Sequence, residues 1–163
     1  MKSHLQINEK INSFNNKINV SGDKSISIRC VLLASQSIGT SKIYNLLESD
    51  DVINALKSIK KLGIKYRKLK NFYLIKGYGL NGYKTDRKIK LNAGNSGTLA
   101  RLVLGLLVNS NNQITIIGDK SLSKRDFSRV TDPLKQFGAQ INSNKNYLPV
   151  KIIGTNFLRP INY

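Results

Sequence analysis

Histidine and cysteine are nearly absent: the 163-residue chain has His4, Cys30 and no others. That excludes a Cys/His zinc cluster and an internal disulfide framework. It also leaves no histidine for a catalytic triad except one in the N-terminal tail. Carboxylates are scarce too, with 9 Asp and Glu against 27 Lys and Arg, a formal net charge of +18. Long apolar runs are missing. The longest, Leu99 to Val108, is interrupted by Arg101 and has about half the length a membrane span requires. Met1 to Asn19 alternates polar and apolar residues and lacks the apolar region of a signal peptide. A cytoplasmic protein, not bound to a membrane, is the expectation. The chemistry left to such a chain is that of Lys, Arg, Ser, Thr and Asn, which handle anions.

What is present is the composition of a folded domain. Apolar residues make up 40% of the chain, enough for a core despite the charge. The basic excess includes 20 Lys, beside 19 Asn and 19 Ile. A+T-rich coding produces that bias as readily as selection for a polyanionic partner does, so charge alone names no partner. The run Lys57, Lys60, Lys61, Lys65, Arg67, Lys68 and Lys70, with Tyr66, Phe72 and Tyr73 nearby, comes closest to a nucleic-acid patch. Its first half is the polar face of a helix whose apolar face carries Val52, Ala55, Leu56, Ile59 and Leu62. Charge runs of this kind are ordinarily solvated faces, so no specific nucleic acid is expected. A non-catalytic basic module that binds nucleic acid or another polyanion is the competing reading.

An internal repeat organises the chain. GDKSISIRCVLLASQSIGTSKIYN and DDVINALKSIKKLGIKY are answered by NAGNSGTLARLVLGLLVNSNNQITIIGD and RVTDPLKQFGAQI, with Arg29 and Arg101 72 residues apart. Self-similarity at such spacing marks duplicated supersecondary units. Pattern and punctuation predict helices over 25–35, from Asp50, over 97–108 and over 128–137, with Gly39 stopping the first and Pro133 either in the first turn of the last or kinking it. Strands are predicted over 41–46, 64–66, 72–75, 88–91, 113–117, 139–142 and 148–153. Each unit reads as β-α-β-α-β-β, an α/β fold, with the units at 21–86 and 87–158. A third unit breaks off at Tyr163, and the C-terminus reads as a truncation while Met1 reads as a genuine start.

Two loops gather small residues, donors and positive charge. Lys24, Ser25 and Arg29 surround one predicted helix start. Asn95, Gly97 and Thr98 open another, with Arg101 one turn in. A helix N-terminus with free N–H groups beside an ammonium or guanidinium makes an oxyanion site. Ordinary capping by Ser, Thr, Asn and Asp explains the same residue types. Their equivalent placement in two repeats favours the site, and neither loop has Walker A spacing. The remaining acids read as helix-start residues (Asp50, Asp51, Asp132) or turn residues (Asp23, Asp119).

The ordered motifs GDKSIS-x-R, GT-x-x-I-x-NLLES-DD, L-N-A-GNSGT-x-x-R-L and GD-x-SLS-x-R with DPL-x-x-FGA closely resemble the 3-phosphoshikimate 1-carboxyvinyltransferase (EPSP synthase) family, from about Asn19 to Tyr163. The related UDP-N-acetylglucosamine enolpyruvyl transferases share the fold but lack the Lys-Ser-x-Ser-x-Arg opening. The resemblance implies an inside-out α/β barrel, here incomplete, in which two domains each contain three such units. Residues 1–20 would form a strand segment of the second domain, and 21–163 would supply two units of the first. The implied reaction joins the 5-hydroxyl of shikimate 3-phosphate to C2 of phosphoenolpyruvate, with phosphate eliminated and no cofactor or metal. By resemblance Lys24 contacts both substrates, and Ser25 and Arg29 hold shikimate 3-phosphate. Asn95, Gly97, Thr98 and Arg125 match the phosphoenolpyruvate site, and Arg101 matches an arginine of supporting role.

Departures from the family pattern are specific. Asp126 stands where the family usually has Pro, Ile28 replaces a common His or Asn, and the Ser-Gln motif for shikimate 3-phosphate is missing. The Asp and Glu that transfer protons in the family have no counterpart among these nine acids. The expectation is a fragment that needs the rest of the enzyme to complete its site and is inactive alone.

Overall fold

A computed structural model of the protein describes residues 17–84 and 88–162, together with His4, Gln6, Asn8, Lys10, Ser13 and Asn15. Helix α1 spans Lys24–Gln36. Asp23 starts it by accepting the Ile26 N–H at 2.7 Å, as a carboxylate does at the positive end of a helix. Its inner side buries Ile28, Val31 and Leu32, whereas Ile26 and Leu33 are 62% and 68% exposed.

Strand β1 (Ile38–Tyr44) follows with no loop. The sequence pattern predicts this strand from Ser41, with Gly39 as the helix stop. Ser37, extended in backbone, is the cap instead. Gly39, at φ +94°, lies inside the strand opposite Gly77. A Cβ on Gly77 would run into the carbonyl oxygens of Ala34 and Ser37, so a glycine here lets the end of α1 sit directly on the sheet.

Helix α2 (Asp50–Lys61) carries acids in its first turn and Lys60 and Lys61 in its last, which suits the helix dipole at both ends. Strands β2 (Lys65–Lys68) and β3 (Phe72–Tyr78) form the expected hairpin, and the first sheet runs β1-β3-β2, all antiparallel. The second half contains β4 (Ile89–Asn92), α3 (Gly97–Leu106), β5 (Ile114–Ile117), a 3-10 turn (Leu122–Lys124), α4 (Ser128–Gln136), β6 (Gln140–Asn144) and β7 (Tyr147–Ile153). Its sheet runs β4-β5-β7-β6, with β4 parallel to β5 and the other pairs antiparallel.

The order β5-β7-β6 repeats β1-β3-β2, and β4-α3-β5-α4-β6-β7 is the β-α-β-α-β-β succession. In the first half, residues 17–20 precede α1 without strand assignment, and Val20 accepts a hydrogen bond from Asn45 at 3.2 Å. Half of the expected 1–20 strand segment, the expected unit boundary at 86 and 87, and Tyr163 lie outside the described residues.

Pro133 sits in the interior of α4 rather than in its first turn. The helix begins at Ser128 because the Phe127 carbonyl accepts from both Val130 and Thr131. The proline then forfeits one interior hydrogen bond. The helices cover the inner sides of the sheets in one continuous core that includes Leu56, Ile75, Leu99, Ile114, Phe127 and Val150. Among the described residues no helix is long and apolar enough to cross a membrane.

The facing of α1 is testable at two adjacent positions. Leu32→Ala, which empties a buried site, is expected to cost about 2–5 kcal/mol in urea unfolding. Leu33→Ala, beside it but exposed, is expected to stay within about 0.5 kcal/mol of the parent. Equal losses would mean that α1 faces another way.

Candidate functional site

The first loop lies against the end of β1. A Cβ on Gly22 would collide with the Asn45 carbonyl oxygen, and buried Ser27 accepts the Leu47 N–H at 3.0 Å. These contacts bring the start of α2 beside the start of α1. There the Lys24 ammonium pairs with the Asp51 carboxylate at 3.0 Å. The sequence pattern assigns Asp51 only to helix initiation. It does sit in the first turn of α2, but its side chain also fixes the direction of Lys24. Ser25 is partly buried. Arg29 is exposed and folds back to donate to the Ser25 carbonyl at 3.1 Å, one turn earlier in its own helix. Asp23, read as a turn residue, is the α1 cap.

The second loop is tighter. The Asn92 side chain accepts the Gly94 N–H at 2.9 Å, and the Gly94 carbonyl accepts the Asp119 N–H at 2.8 Å. Gly94 has φ +58°, which calls for glycine, and packs on the Asn54 side-chain amide, which a Cβ would push aside. Ser96 caps α3 by accepting the Leu99 N–H at 3.2 Å. Gly97 opens that helix and Thr98 follows in its first turn.

Two guanidinium groups converge on this helix start. A Cβ built on Gly97 would lie 3.0 Å from Arg101 Nη1 and 3.1 Å from Arg125 Nη1. Arg125 also donates to Asn95 Oδ1 at 2.8 Å. Arg101 donates to the Asp126 carbonyl at 3.0 Å and stacks 5.1 Å from the centre of the buried Phe127 ring. Arg101 therefore grips the segment that carries Arg125. Paired guanidiniums beside free helix N–H groups form an oxyanion receptor.

The structure also shows what Asp126 does. Its carboxylate accepts the Ser128 N–H at 2.6 Å and the Ser128 hydroxyl. These two bonds, helped by Arg129 and Arg101, hold its carboxyl below the usual aspartate range. Asp126 thus braces the start of α4 with its side chain and accepts from Arg101 with its backbone.

Helix α2 links the two loops. Asp51, which holds Lys24, and Asn54, which packs on Gly94, lie one turn apart on it. Asn95, Gly97, Arg101 and Arg125 are grouped on the second loop, and Lys24 connects to it only through α2, with Ser25 and Thr98 on the two helix starts. Arg29 is bonded only to its own helix in this structure. A cleft of about 570 Å3 adjoins Asn54 and is bounded by Lys57, Lys60, Lys61 and Asn92. It contains none of the predicted site residues. Among the described residues no three His, Cys, Asp or Glu side chains are grouped to hold a metal ion. The arrangement can grip and polarise oxyanions.

The sequence matches, over residues 8–163, a family model described as EPSP synthase (3-phosphoshikimate 1-carboxyvinyltransferase). It is 43% identical over 152 residues to a 3-phosphoshikimate 1-carboxyvinyltransferase of Vesicomyosocius okutanii, covering 93% of this chain and 35% of that protein. It is 41% identical over 151 residues to one from Bacillus cytotoxicus, covering 91% and 35%. The solved structure of EPSP synthase from Acinetobacter baumannii superposes with a TM-score of 0.81 at 34% identity, over 91% of this chain and 34% of that one. The chain therefore spans about a third of the length of these relatives.

The capping role of Asp126 sets a pH dependence. Its native carboxyl is held below the unfolded value, so its contribution is complete above pH 3.8 and is lost as pH falls through the lower native value. Glu48, held low mainly by Lys68 and then by Tyr73, acts with the same sign. Asp126→Asn keeps an acceptor for Ser128 without titrating, so the fall of the urea midpoint below pH 3.8 should be shallower in that variant. Superimposable acid limbs for the two proteins would refute the role.

Proposed function

The chain belongs to the EPSP synthase family, and on that premise we propose that it provides the N-terminal share of the site in which shikimate 3-phosphate and phosphoenolpyruvate are joined. The observation that supports this most directly is the meeting of Arg101 and Arg125 at Gly97, on the N-terminus of α3. Lys24 is held by Asp51 in the first turn of α2, the helix whose Asn54 packs on Gly94 of the same loop. Both substrates are polyanions. A receptor of preorganised cations and N–H groups therefore binds them and stabilises the charge that develops on the transferring group.

In this reading Arg125 and the Asn95–Thr98 loop hold phosphoenolpyruvate. Arg101 acts through the Asp126 carbonyl and the Phe127 ring to aim Arg125. Ser25 and Arg29 hold shikimate 3-phosphate, and Arg29 swings off the Ser25 carbonyl to do so. Lys24 exchanges Asp51 for substrate oxygens and lies between the two ligands. Asp51 holds the ammonium at the start of α1, and because the Lys24 end of the pair is open to solvent, an arriving phosphate can displace it.

Proton transfer is a separate matter. Asp51 and Asp126 are committed to Lys24 and Ser128, and neither is free to act as a general acid. We assign that step to the part of the enzyme that the chain does not span. The exposed Ile26 and Leu33 on α1 support the same division, because repeat units bury their apolar sides against neighbours. Residues 21–163 then form two units of a three-unit domain, 1–20 belongs to the other domain, and the whole enzyme works in the cytoplasm.

Calorimetry tests the reading on the chain as it stands. Shikimate 3-phosphate should give a binding heat that Lys24→Ala abolishes, and Arg125→Ala should weaken phosphoenolpyruvate by about 10- to 100-fold, the range for a hydrogen bond to a charged group. Equal heats from the parent and Lys24→Ala would remove the assignment. Phosphate release by the chain alone, given both substrates, would overturn the division of labour.

A further inference from the structure

The outward face of the first sheet combines cations and aromatic rings in a way that neither the repeat nor the oxyanion site requires. Strand register places Lys42 and Tyr44 of β1 beside Leu74 and Phe72 of β3, and Arg67 and Lys65 of β2 beside Leu74 and Lys76. Tyr73 and Ile75 point the other way, into the core. The Lys42 ammonium lies 4.1 Å from the centre of the Phe72 ring and 5.0 Å from that of Tyr44. Those two rings are tilted together at 5.5 Å. Lys76 lies over Tyr78 at 5.7 Å. An open groove of about 840 Å3 runs between Thr40, Lys65, Arg67 and Lys76. None of the three strands contains an acid, and nearby Glu48 is bound to Lys68 and Tyr73.

The second sheet is an internal control. Its β5-β7-β6 strands repeat the order of the first sheet and β4 adds a fourth, so a uniform bias toward lysine would decorate both outward faces alike. Its strands instead carry only Lys90 and Lys151 as cations and Tyr147 as an aromatic. The positive charge is therefore concentrated on the first sheet, interleaved with rings, at positions brought together by strand pairing.

We propose that this face binds single-stranded nucleic acid, with bases stacking on Tyr44 and Phe72 and backbone phosphates taken by Lys42, Lys65, Arg67 and Lys76. Base stacking on sheet aromatics beside cations is the general mode for single strands, and it tolerates many sequences because every base has a π-face. Lys42 already covers both rings as a cation on a π-face. An incoming base takes its place on the ring, and the released ammonium meets the adjoining phosphate.

Fluorescence anisotropy with labelled oligothymidine tests this on the 163-residue chain. The logarithm of affinity should fall with the logarithm of salt at a slope of about −3, from four phosphate contacts at about 0.7 each on a single strand. Lys42→Gln with Lys76→Gln should reduce that slope by about 1.4. Tyr44→Leu and Phe72→Leu, which keep the charge, should each weaken binding by about tenfold. Lys90→Gln with Lys151→Gln on the second sheet should leave it unchanged. The positions are at the surface, so circular dichroism should match the parent throughout. Unchanged affinity in both leucine variants would overturn the proposal, as would equal losses from the two lysine pairs or equal binding to a duplex of the same length. Each of those results would reduce the face to non-selective charge.

Discussion

Like charges held together beside the positive end of a helix are the constraint that the rest of this structure serves. Arg101 and Arg125 converge on the N-terminus of α3, where the free N–H groups are themselves positive. The fold answers by giving each cation an acceptor: the Asp126 carbonyl for Arg101, Asn95 Oδ1 for Arg125, and the Asp51 carboxylate for Lys24. Only the last carries a full charge. Neutral acceptors orient a guanidinium without cancelling its field, so the assembly stays rigid and still attracts an anion. A full set of carboxylate partners would have made a stable ion-pair cluster with nothing left for a ligand.

That arrangement depends on parts that are not themselves anion binders. Gly94 must be glycine for its backbone angle, and the small Gly97 lets two guanidiniums approach the start of α3. Phe127 is fully buried, so the stack that it offers Arg101 is anchored in the core. Helix α2 faces the core with Val52, Ala55 and Leu56 and faces the loops with Asp51 and Asn54. Core packing and site geometry are thus set by the same helix, and a shift of α2 would move both loops at once.

The sequence made the helix starts and both glycine-bearing loops legible, because caps and glycines act over three or four residues. It also showed the repeat, whose strand order the second sheet displays in full. What stayed illegible was lateral. Asp51 looks like any first-turn carboxylate until α1 and α2 lie side by side. Asp126 looks like an intrusion at a proline position until its carboxylate is seen on Ser128. The early start of β1 depends on Gly39 pairing with Gly77, a contact across 38 residues that no local pattern reveals. Local chemistry is written along the chain, while partnerships across it are settled by packing.

The same distinction governs the charge. A net charge of +18 describes how strongly the molecule as a whole repels itself and attracts polyanions, and says nothing of where. Placement separates the basic residues into populations with different physics. Lys60 and Lys61 end α2 and complement its dipole. Lys68 is spent on Glu48. Arg101 and Arg125 are aimed by neutral acceptors at one helix end. Lys42, Lys65, Arg67 and Lys76 share a sheet face with aromatic rings, while the strands of the four-stranded second sheet carry Lys90 and Lys151. Mutational drift toward lysine acts on codons and is blind to the pairing of β1 with β3. Strand pairing, and not composition, is what brings those four cations and the two rings onto one face.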